Sequence, residues 1–346
     1  ANLSANQRTQ DSTINLNLPD FNLNMSRIYP FKRKKALGKE KWYEKINMSY
    51  SGRFSNSITS KENELLHASF MKDWKNAVKH NVPINASFSM LKYIIVSPSI
   101  NYNERWYFSK LEKKWDNDNN SLVQDTTYGF NRVFDYNFSL SAQTKFYVFF
   151  KPLPQVFGEK INMIRWVLTP SLGYTMSPDF GLEKFGYWNS YVRFYEDGSS
   201  EKVIYSPYEK SMFGVPRQGR TGSINFSLTN NVEMKVKSKK DSINPFKKIS
   251  IIDNFQLSSS YNLAADSLNL SNINGNIRLK LTDKLGINLS GAFDPYEYRL
   301  NRHESPVKVH DYRWNHGKLP QLISTSTSFG YAINNNTFKK KTVKKE

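Results

Sequence analysis

The chain has 346 residues, 38% of them hydrophobic, a mean hydropathy of −0.63 and no cysteine. This composition excludes a membrane-spanning helix, which needs about 20 consecutive apolar residues, and it excludes disulfide bonds and thiolate metal sites. The formal net charge is +19, from 49 Lys and Arg against 30 Asp and Glu. Because the basic residues are spread along the chain rather than gathered in one patch, they do not indicate a nucleic-acid-binding protein.

Apolar side chains recur at every second residue in eleven segments, which predicts β-strands with one apolar and one polar face. In one of them Phe134, Tyr136 and Phe138 alternate with Asp135 and Asn137. Several segments exceed the five or six residues usual for a soluble strand, and about 9–11 residues cross a membrane when tilted. The predicted strands cover residues 12–28, 42–56, 78–90, 93–108, 127–150, 162–177, 222–237, 249–263, 272–281, 285–293 and 321–334.

The connectors between these segments tend to alternate in length. Transmembrane barrels have short turns at the periplasm and long loops outside, so this alternation favours such a barrel. The longest connector carries a hairpin signal, since Asp197 and Gly198 lie between two β-rich runs. Residues 64–77 have apolar side chains at helical spacing and are alternatively interpreted as a short amphipathic helix. The long polar links are predicted at residues 57–77, 109–126, 178–221 and 294–320, and the tight ones at 91–93 and 282–284.

The predicted fold class is therefore all-β, a transmembrane antiparallel β-barrel. The eleven segments are expected to be spanning strands of a larger barrel. Residues 1–346 form one outer-membrane barrel segment, expected to be incomplete at both ends, and residues 178–221 form a long extracellular loop with a hairpin. The 20 Tyr, 23 Phe and 7 Trp match the composition of strands and of the aromatic girdles of such barrels.

The sequence has no P-loop, no GxGxxG, no HExxH and no GxSxG motif. Residues 116–120 begin like a calcium loop, but Ser121 and Thr127 stand where an EF-hand needs Gly and Glu. His303, His310 and His316 share one loop at spacings that match no compact zinc site. We therefore expect a protein that is not an enzyme and needs no cofactor and no metal.

Seven basic residues fall on the polar parity of the predicted strands. If that parity lines a lumen, they place cationic donors where phosphate or carboxylate groups of a ligand pass. The alternative is that they solvate the interior or pair with Asp and Glu on neighbouring strands. The candidate ligand-binding residues are Arg53, Arg105, Lys145, Arg165, Lys235, Arg278 and Lys280.

Several phrases along nearly the whole chain carry a family resemblance. They are residues 27–32 (RIYPFK), 97–107 (SPSINYNERWY), 168–174 (LTPSLGY), 205–208 (YSPY), 213–216 (FGVP), 261–267 (YNLAADS) and 293–296 (FDPY). In this order they resemble the LptD proteins of Bacteroidetes-type bacteria. The resemblance implies lipopolysaccharide transport and insertion into the outer leaflet, as a multi-pass barrel in the outer membrane of a Gram-negative bacterium. It also implies four partners: lipopolysaccharide, an LptE-type plug lipoprotein, a periplasmic lipopolysaccharide-bridge protein and outer-membrane lipids.

Three other functions remain open from the sequence. The first is an outer-membrane porin or uptake-receptor barrel for another ligand. The second is an outer-membrane enzyme such as a lipase or protease, with its catalytic site near the barrel rim. The third is a secreted β-sandwich binding module, in which the apolar parity of each strand would be buried against a second sheet.

Overall fold

The computed structural model describes residues 2–8, 10, 12–35, 38–61, 73–152, 155, 160–195, 197–237, 246–280 and 285–331. The elements with described bounds are eighteen β-strands and three short 3-10 helices, Trp42–Lys45, Glu183–Phe185 and Arg313–His316. None of the described helices is long and apolar enough to cross a membrane.

The strands follow one another along the chain with few interruptions. They are β1 (Asn2–Arg8), β2 (Thr13–Ile28), β3 (Asn47–Lys61), β4 (Lys75–Asn85), β5 (Phe88–Met90), β6 (Ile94–Asp116), β7 (Ser121–Gln143), β8 (Phe146–Phe150), β9 (Ile161–Ser177), β10 (Asn189–Phe194), β11 (Ser200–Tyr205), β12 (Thr221–Lys237), β13 (Phe246–Asn262), β14 (Ile273–Lys280), β15 (Leu285–Asp294), β16 (Tyr296–Leu300), β17 (Pro306–Tyr312) and β18 (Gln321–Tyr331).

The chain divides into two compact units. The first comprises Ala1–Phe88, Ser97–Leu140 and Thr175–Gly222, and the second comprises Ser89–Val96, Ser141–Tyr174 and Ser223–Glu346. In the first unit the sheet order is β1-β2-β3-β4-β6-β7, and β10 and β11 form a separate hairpin. In the second unit it is β9-β12-β13-β14-β15-β18, with β8 beside β9 and a separate β16–β17 hairpin. Among the described strands, neither unit closes on itself.

Strand register gives the first unit an apolar face and a polar face. Neighbouring strands place apolar residues directly opposite one another, and the Phe21 and Phe54 rings stack with centroids 6.3 Å apart. The next residue on each strand points to the other side of the sheet, because side chains alternate along a strand. One apolar row crosses four strands through Phe21, Phe54, Val78 and Trp106.

The second unit repeats this arrangement in β13, β14 and β15. Its apolar row contains Phe255, Ile277 and Leu289, and its adjacent polar row contains Gln256, Asn276 and Ser290. Directly opposite side chains on paired strands share a face, so the apolar row and the polar row lie on opposite sides of the sheet.

The apolar faces are not packed into a protein core. Phe226 on β12 is 46% exposed and Phe329 on β18 is 80% exposed. Among the residues that the structure describes, only eleven hydrophobic ones are buried. A secreted β-sandwich would bury these faces, so the described strands do not fit that alternative.

Antiparallel strands occur at each of the eleven predicted segments, which confirms the all-β prediction. The residues 127–150 are divided between β7 and β8, and the predicted hairpin is formed by β10 and β11 around Asp197 and Gly198. The structure adds β1, which the sequence did not predict, and the hairpin of β16 and β17 within the predicted loop 294–320. Whether the long loop is extracellular stays a prediction.

The predicted long connector at residues 109–126 is wrong. β6 continues to Asp116 and β7 begins at Ser121, which leaves only the turn 117–120 between two strands of 23 residues each. In β6 the even positions, apolar up to Phe108, are charged from Lys110 onwards, so the hydrophobic alternation of the earlier part ends although the strand continues. Asp116, at the start of the calcium-like run, instead accepts hydrogen bonds from the backbone amides of Asp118 and Asn119. Of the alternative helix at 64–77, residues 64–72 lie outside the described residues and 75–77 begin β4.

Candidate functional site

The long loop (residues 178–220, described except for residue 196) folds back onto the strands of the first unit. The Tyr107 hydroxyl donates a hydrogen bond to the Gly214 carbonyl over 2.6 Å. The Leu111 amide donates to the Pro207 carbonyl over 2.8 Å. Tyr107 and Leu111 both lie in the C-terminal half of β6, so this part of the 23-residue strand supports the loop.

A hydrophobic cluster holds the long loop in place. Burial raises the pKa of the Tyr208 phenol in this cluster. Strands and loop contribute equally to its buried members, which are Ala77, Tyr107, Val133, Phe180, Tyr187 and Tyr208.

The polar face beside this cluster carries a row of cations. Arg53 on β3 lies directly opposite Lys79 on β4, and Lys79 lies directly opposite Arg105 on β6. We call Arg53, Lys79 and Arg105 the cation row. Side chains at directly opposite positions have Cβ atoms about 4.5–5.5 Å apart, and like charges there destabilise a sheet.

Carboxylates compensate the two ends of the cation row. Arg53 pairs with Asp20 at 2.5 Å, and Arg105 pairs with Asp135 at 2.5 Å. Lys79, in the middle, forms no ion pair with any residue that the structure describes. The row therefore has one uncompensated positive charge at its centre.

A polar cleft opens beside the cation row. Its volume is about 390 Å³, and Phe213 of the long loop forms part of its wall. The Phe213 ring lies 5.8 Å from the guanidinium carbon of Arg53. A second row of opposite residues supplies uncharged polar groups to the cleft: Asn24, Ser51, Asn81 and Asn103. The complete lining is Asn22, Asn24, Ser51, Gly52, Arg53, Lys79, Asn81, Asn103 and Phe213.

The seven basic residues predicted from the sequence fall in both units. Arg53 and Arg105 belong to the cation row of the first unit. In the second unit Arg165 pairs with Glu233 at 2.6 Å. Arg278 pairs with Asp253 at 3.3 Å in the same unit. Four of the seven thus pair with carboxylates on neighbouring strands, the alternative left open by the sequence.

The other three are lysines of the second unit. Lys235 lies 4.7 Å from the centre of the Phe246 ring, and it stands opposite Lys248. Lys235 and Arg165 line one pocket of about 180 Å³ between β9, β12 and β13. Lys145 is exposed in the connector after β7, and Lys280 is exposed at the end of β14. None of these three lysines forms an ion pair within the described ranges.

Sequence reasoning missed Lys79 and the cleft amides. Lys79 shares the parity of Asn81 and Asn85 in a predicted strand, so the sequence pattern could have placed it on the polar face. Its position between two arginines depends on strand register, which the local pattern does not give. Phe213 reaches the cleft through the fold of the long loop, for which the sequence offered no signal.

Elsewhere, the described histidines and carboxylates form no metal-like group of three. His310 Nδ1 accepts a hydrogen bond from the Leu268 amide, and His316 Nε2 lies 2.8 Å from Asp311. The apolar face of the first unit carries one notable charged contact, in which Arg132 Nε lies 2.8 Å from the Glu104 carboxylate.

Comparison with known proteins identifies the family. The family model described as LptD protein matches residues 1–296. The chain belongs to the LptD protein family. No similar curated protein and no similar solved structure was found.

Membership in the LptD family gives the general function. LptD proteins are outer-membrane proteins of lipopolysaccharide transport and assembly, and they are transport proteins rather than enzymes. The family therefore argues against the enzyme and the uptake-receptor alternatives. Lipopolysaccharide and other members of its transport system are the partners that the family implies in general.

Proposed function

We propose that this LptD-family chain forms part of the wall of an outer-membrane barrel that inserts lipopolysaccharide into the outer leaflet. The apolar face contacts lipid, and the polar face lines the passage for the saccharide part of the molecule. The observation that carries this proposal is the separation of apolar and polar rows onto two faces, which the Arg132–Glu104 pair interrupts on the apolar face. Apolar and polar rows alternate in register across neighbouring strands, and none of the residues named in the apolar rows is buried.

Backbone geometry supports this assignment. A strand in a bilayer must satisfy its amide and carbonyl groups by pairing with neighbouring strands. In the order β2-β3-β4-β6-β7 and in the order β12-β13-β14-β15-β18, each strand is hydrogen-bonded to its neighbours. We propose that further strands complete a closed, multi-pass barrel in the outer membrane.

The basic residues on the polar face serve, in this proposal, as contacts for a passing anionic ligand. Three lysines suit this role because they form no described ion pair: Lys145, Lys235 and Lys280. The paired arginines Arg53, Arg105, Arg165 and Arg278 keep part of their donor capacity, since a guanidinium has five N–H groups. We propose an LptE-type plug lipoprotein and a periplasmic lipopolysaccharide-bridge protein as partners, on the basis of the family alone.

Depletion tests the proposed function. A strain that loses this protein should accumulate lipopolysaccharide inside the cell, and its surface lipopolysaccharide should fall, as measured with a surface-specific antibody or label. Unchanged surface lipopolysaccharide after depletion would contradict the proposal.

A triple substitution tests the lysines. Replacement of Lys145, Lys235 and Lys280 by Gln removes three charges without breaking a described ion pair, and it should slow surface delivery. The matched control replaces Lys34, Lys35 and Lys39, in the connector between β2 and β3, by Gln. If both triple variants deliver lipopolysaccharide at the same rate, the lysines do not guide the ligand.

A further inference from the structure

We propose that the cleft beside the cation row binds a phosphate group carried by a saccharide, with Lys79 as its central contact. This inference rests on the proposed function, because it assigns one ligand-binding site to the polar face of the barrel wall. Arg53 and Lys79 supply the charged groups of this site, and Phe213 of the long loop forms part of its wall.

The charge arrangement is the first argument. Lys79 stands directly opposite two arginines, which is unfavourable in a free sheet. Asp20 and Asp135 compensate only the two outer members of the row. A negatively charged group placed over Lys79 would relieve the repulsion and form a charge-assisted hydrogen bond with its ammonium group.

The arrangement of donors is the second argument. Arg53 uses Nε and Nη2 for Asp20, so its Nη1 has no described partner. Arg53 and Lys79 both line the cleft, and they stand on neighbouring strands at directly opposite positions. Directly opposite side chains have Cβ atoms about 4.5–5.5 Å apart, so we expect a single phosphate in the cleft to contact both residues. Guanidinium and ammonium groups are the side chains that proteins use most to bind phosphate.

The shape and chemistry of the remaining lining point to a sugar. The cleft volume of about 390 Å³ lies within the range of small-molecule sites. The amides of Asn22 and Asn24 are exposed on its wall and offer both donors and acceptors to sugar hydroxyls. Phe213 supplies one flat apolar surface, against which the C–H face of a sugar ring can pack.

The position of Phe213 is fixed by the turn that follows it. Gly214 has a φ of +67°, a left-handed backbone conformation that residues other than glycine rarely adopt. The Gly214 carbonyl accepts the Tyr107 hydroxyl, and Tyr107 is part of the buried cluster. The long loop therefore holds an aromatic ring beside the cation row before any ligand binds.

A binding experiment on the full-length protein in detergent tests this site. The probes are a phosphorylated glucosamine disaccharide, the same disaccharide without phosphate, and inorganic phosphate, with affinities from isothermal titration calorimetry. Lys79→Gln should weaken the phosphorylated sugar at least tenfold, because it removes one charge-assisted hydrogen bond. Lys75→Gln, on the same strand and parity but outside the cleft, is the control and should leave the affinity unchanged.

Comparing the three probes distinguishes binding of the phosphate group from binding of the sugar. The proposal predicts that the phosphorylated disaccharide binds more tightly than either the neutral disaccharide or inorganic phosphate. Equal affinity for inorganic phosphate and the phosphorylated sugar would overturn the saccharide part of the proposal. Equal affinities of Lys79→Gln and wild type would overturn the role of Lys79.

Thermal unfolding without ligand gives a second readout. Lys79→Gln should be at least as stable as wild type, because it relieves the like-charge repulsion in the row, and a less stable variant would overturn the charge argument. If the wild-type cleft binds no phosphorylated sugar while depletion still blocks surface lipopolysaccharide, the cleft assignment fails and the proposed function stands. If depletion has no effect, the proposed function fails.

Discussion

The ion pair between Arg105 and Asp135 gives the sharpest prediction about stability. Arg105 Nη1 and Asp135 Oδ2 are 2.5 Å apart, and their side chains are only 12% and 20% exposed. Removing one partner of a buried pair costs about 3–5 kcal/mol, because the other charge is left without compensation. The Asp135→Asn side chain keeps an acceptor for the Asn103 amide, and the site has some contact with solvent. We therefore expect this substitution to lower the free energy of unfolding by about 2–3 kcal/mol, towards the low end of that range or below it.

Denaturant unfolding of the purified protein in detergent measures this cost. The control is Asp118→Asn in the exposed turn between β6 and β7, which removes the same charge outside the sheet. A double variant, Arg105→Met with Asp135→Asn, should recover part of the loss because no unpaired charge remains. If Asp135→Asn stays within about 0.5 kcal/mol of wild type, the range of ordinary surface substitutions, the reasoning about the cation row is wrong.

Three further predictions concern the long loop, a connector and the apolar face. Tyr107→Phe removes the hydrogen bond to Gly214, should cost about 1–2 kcal/mol and should speed proteolysis of the long loop. Hydrogen bonds from Arg33 lower the pKa of Glu44 to about 2. The contact therefore stabilises the connector at pH values above the ordinary pKa of a glutamate, and this stabilisation is lost as the pH falls towards 2. The hydrogen-exchange protection factors of the connector amides, which correct for the pH dependence of intrinsic exchange, should accordingly fall as the pH is lowered from 5 to 2 in wild type, and Glu44→Gln should remove that dependence. Phe226→Arg should cost about 2–4 kcal/mol in a bilayer, because it places a charge against lipid.

Two of these predictions have a matched control variant, and the third has a clear contradicting outcome. Asn225→Arg, one residue away on the polar face, should cost far less than the change at Phe226, and equal costs would refute the assignment of faces. Glu40→Gln, in the same connector but in an exposed ion pair with Lys32, should leave the pH dependence intact. Proteolysis of the long loop at the wild-type rate in Tyr107→Phe would show that this hydrogen bond does not hold the loop.

The strands were predictable because their signal is local. A period of two is visible within one segment, as in Phe226 and Leu228 alternating with Asn225 and Ser227. The same signal fails where the apolar parity changes. In β6 the even positions are apolar at Trp106 and Phe108 but charged from Lys110 onwards, while Leu111 and Trp115 fall on odd positions, and the sequence therefore indicated a loop where the structure has a strand.

The candidate site was predictable only in part, because it depends on pairing between distant segments. The parity of Arg53 and Arg105 placed both on the polar face, and the structure agrees. Which residue lies between them is decided by the register of β3, β4 and β6, and that register identifies Lys79. The contact of Tyr107 with Gly214 joins residues 107 positions apart, far beyond the reach of a local pattern.

The separation of the two faces is the claim on which the rest depends, and site-directed labelling tests it directly. The chain contains no cysteine, so single-cysteine variants at 223–228 on β12 each carry one fluorescent label at one known position. Full-length protein in vesicles with nitroxide-bearing lipid should show strong quenching at 224, 226 and 228 and weak quenching at 223, 225 and 227. Uniform quenching along these six positions, or protection of both parities from lipid, would contradict a strand with hydrocarbon on one side and water on the other.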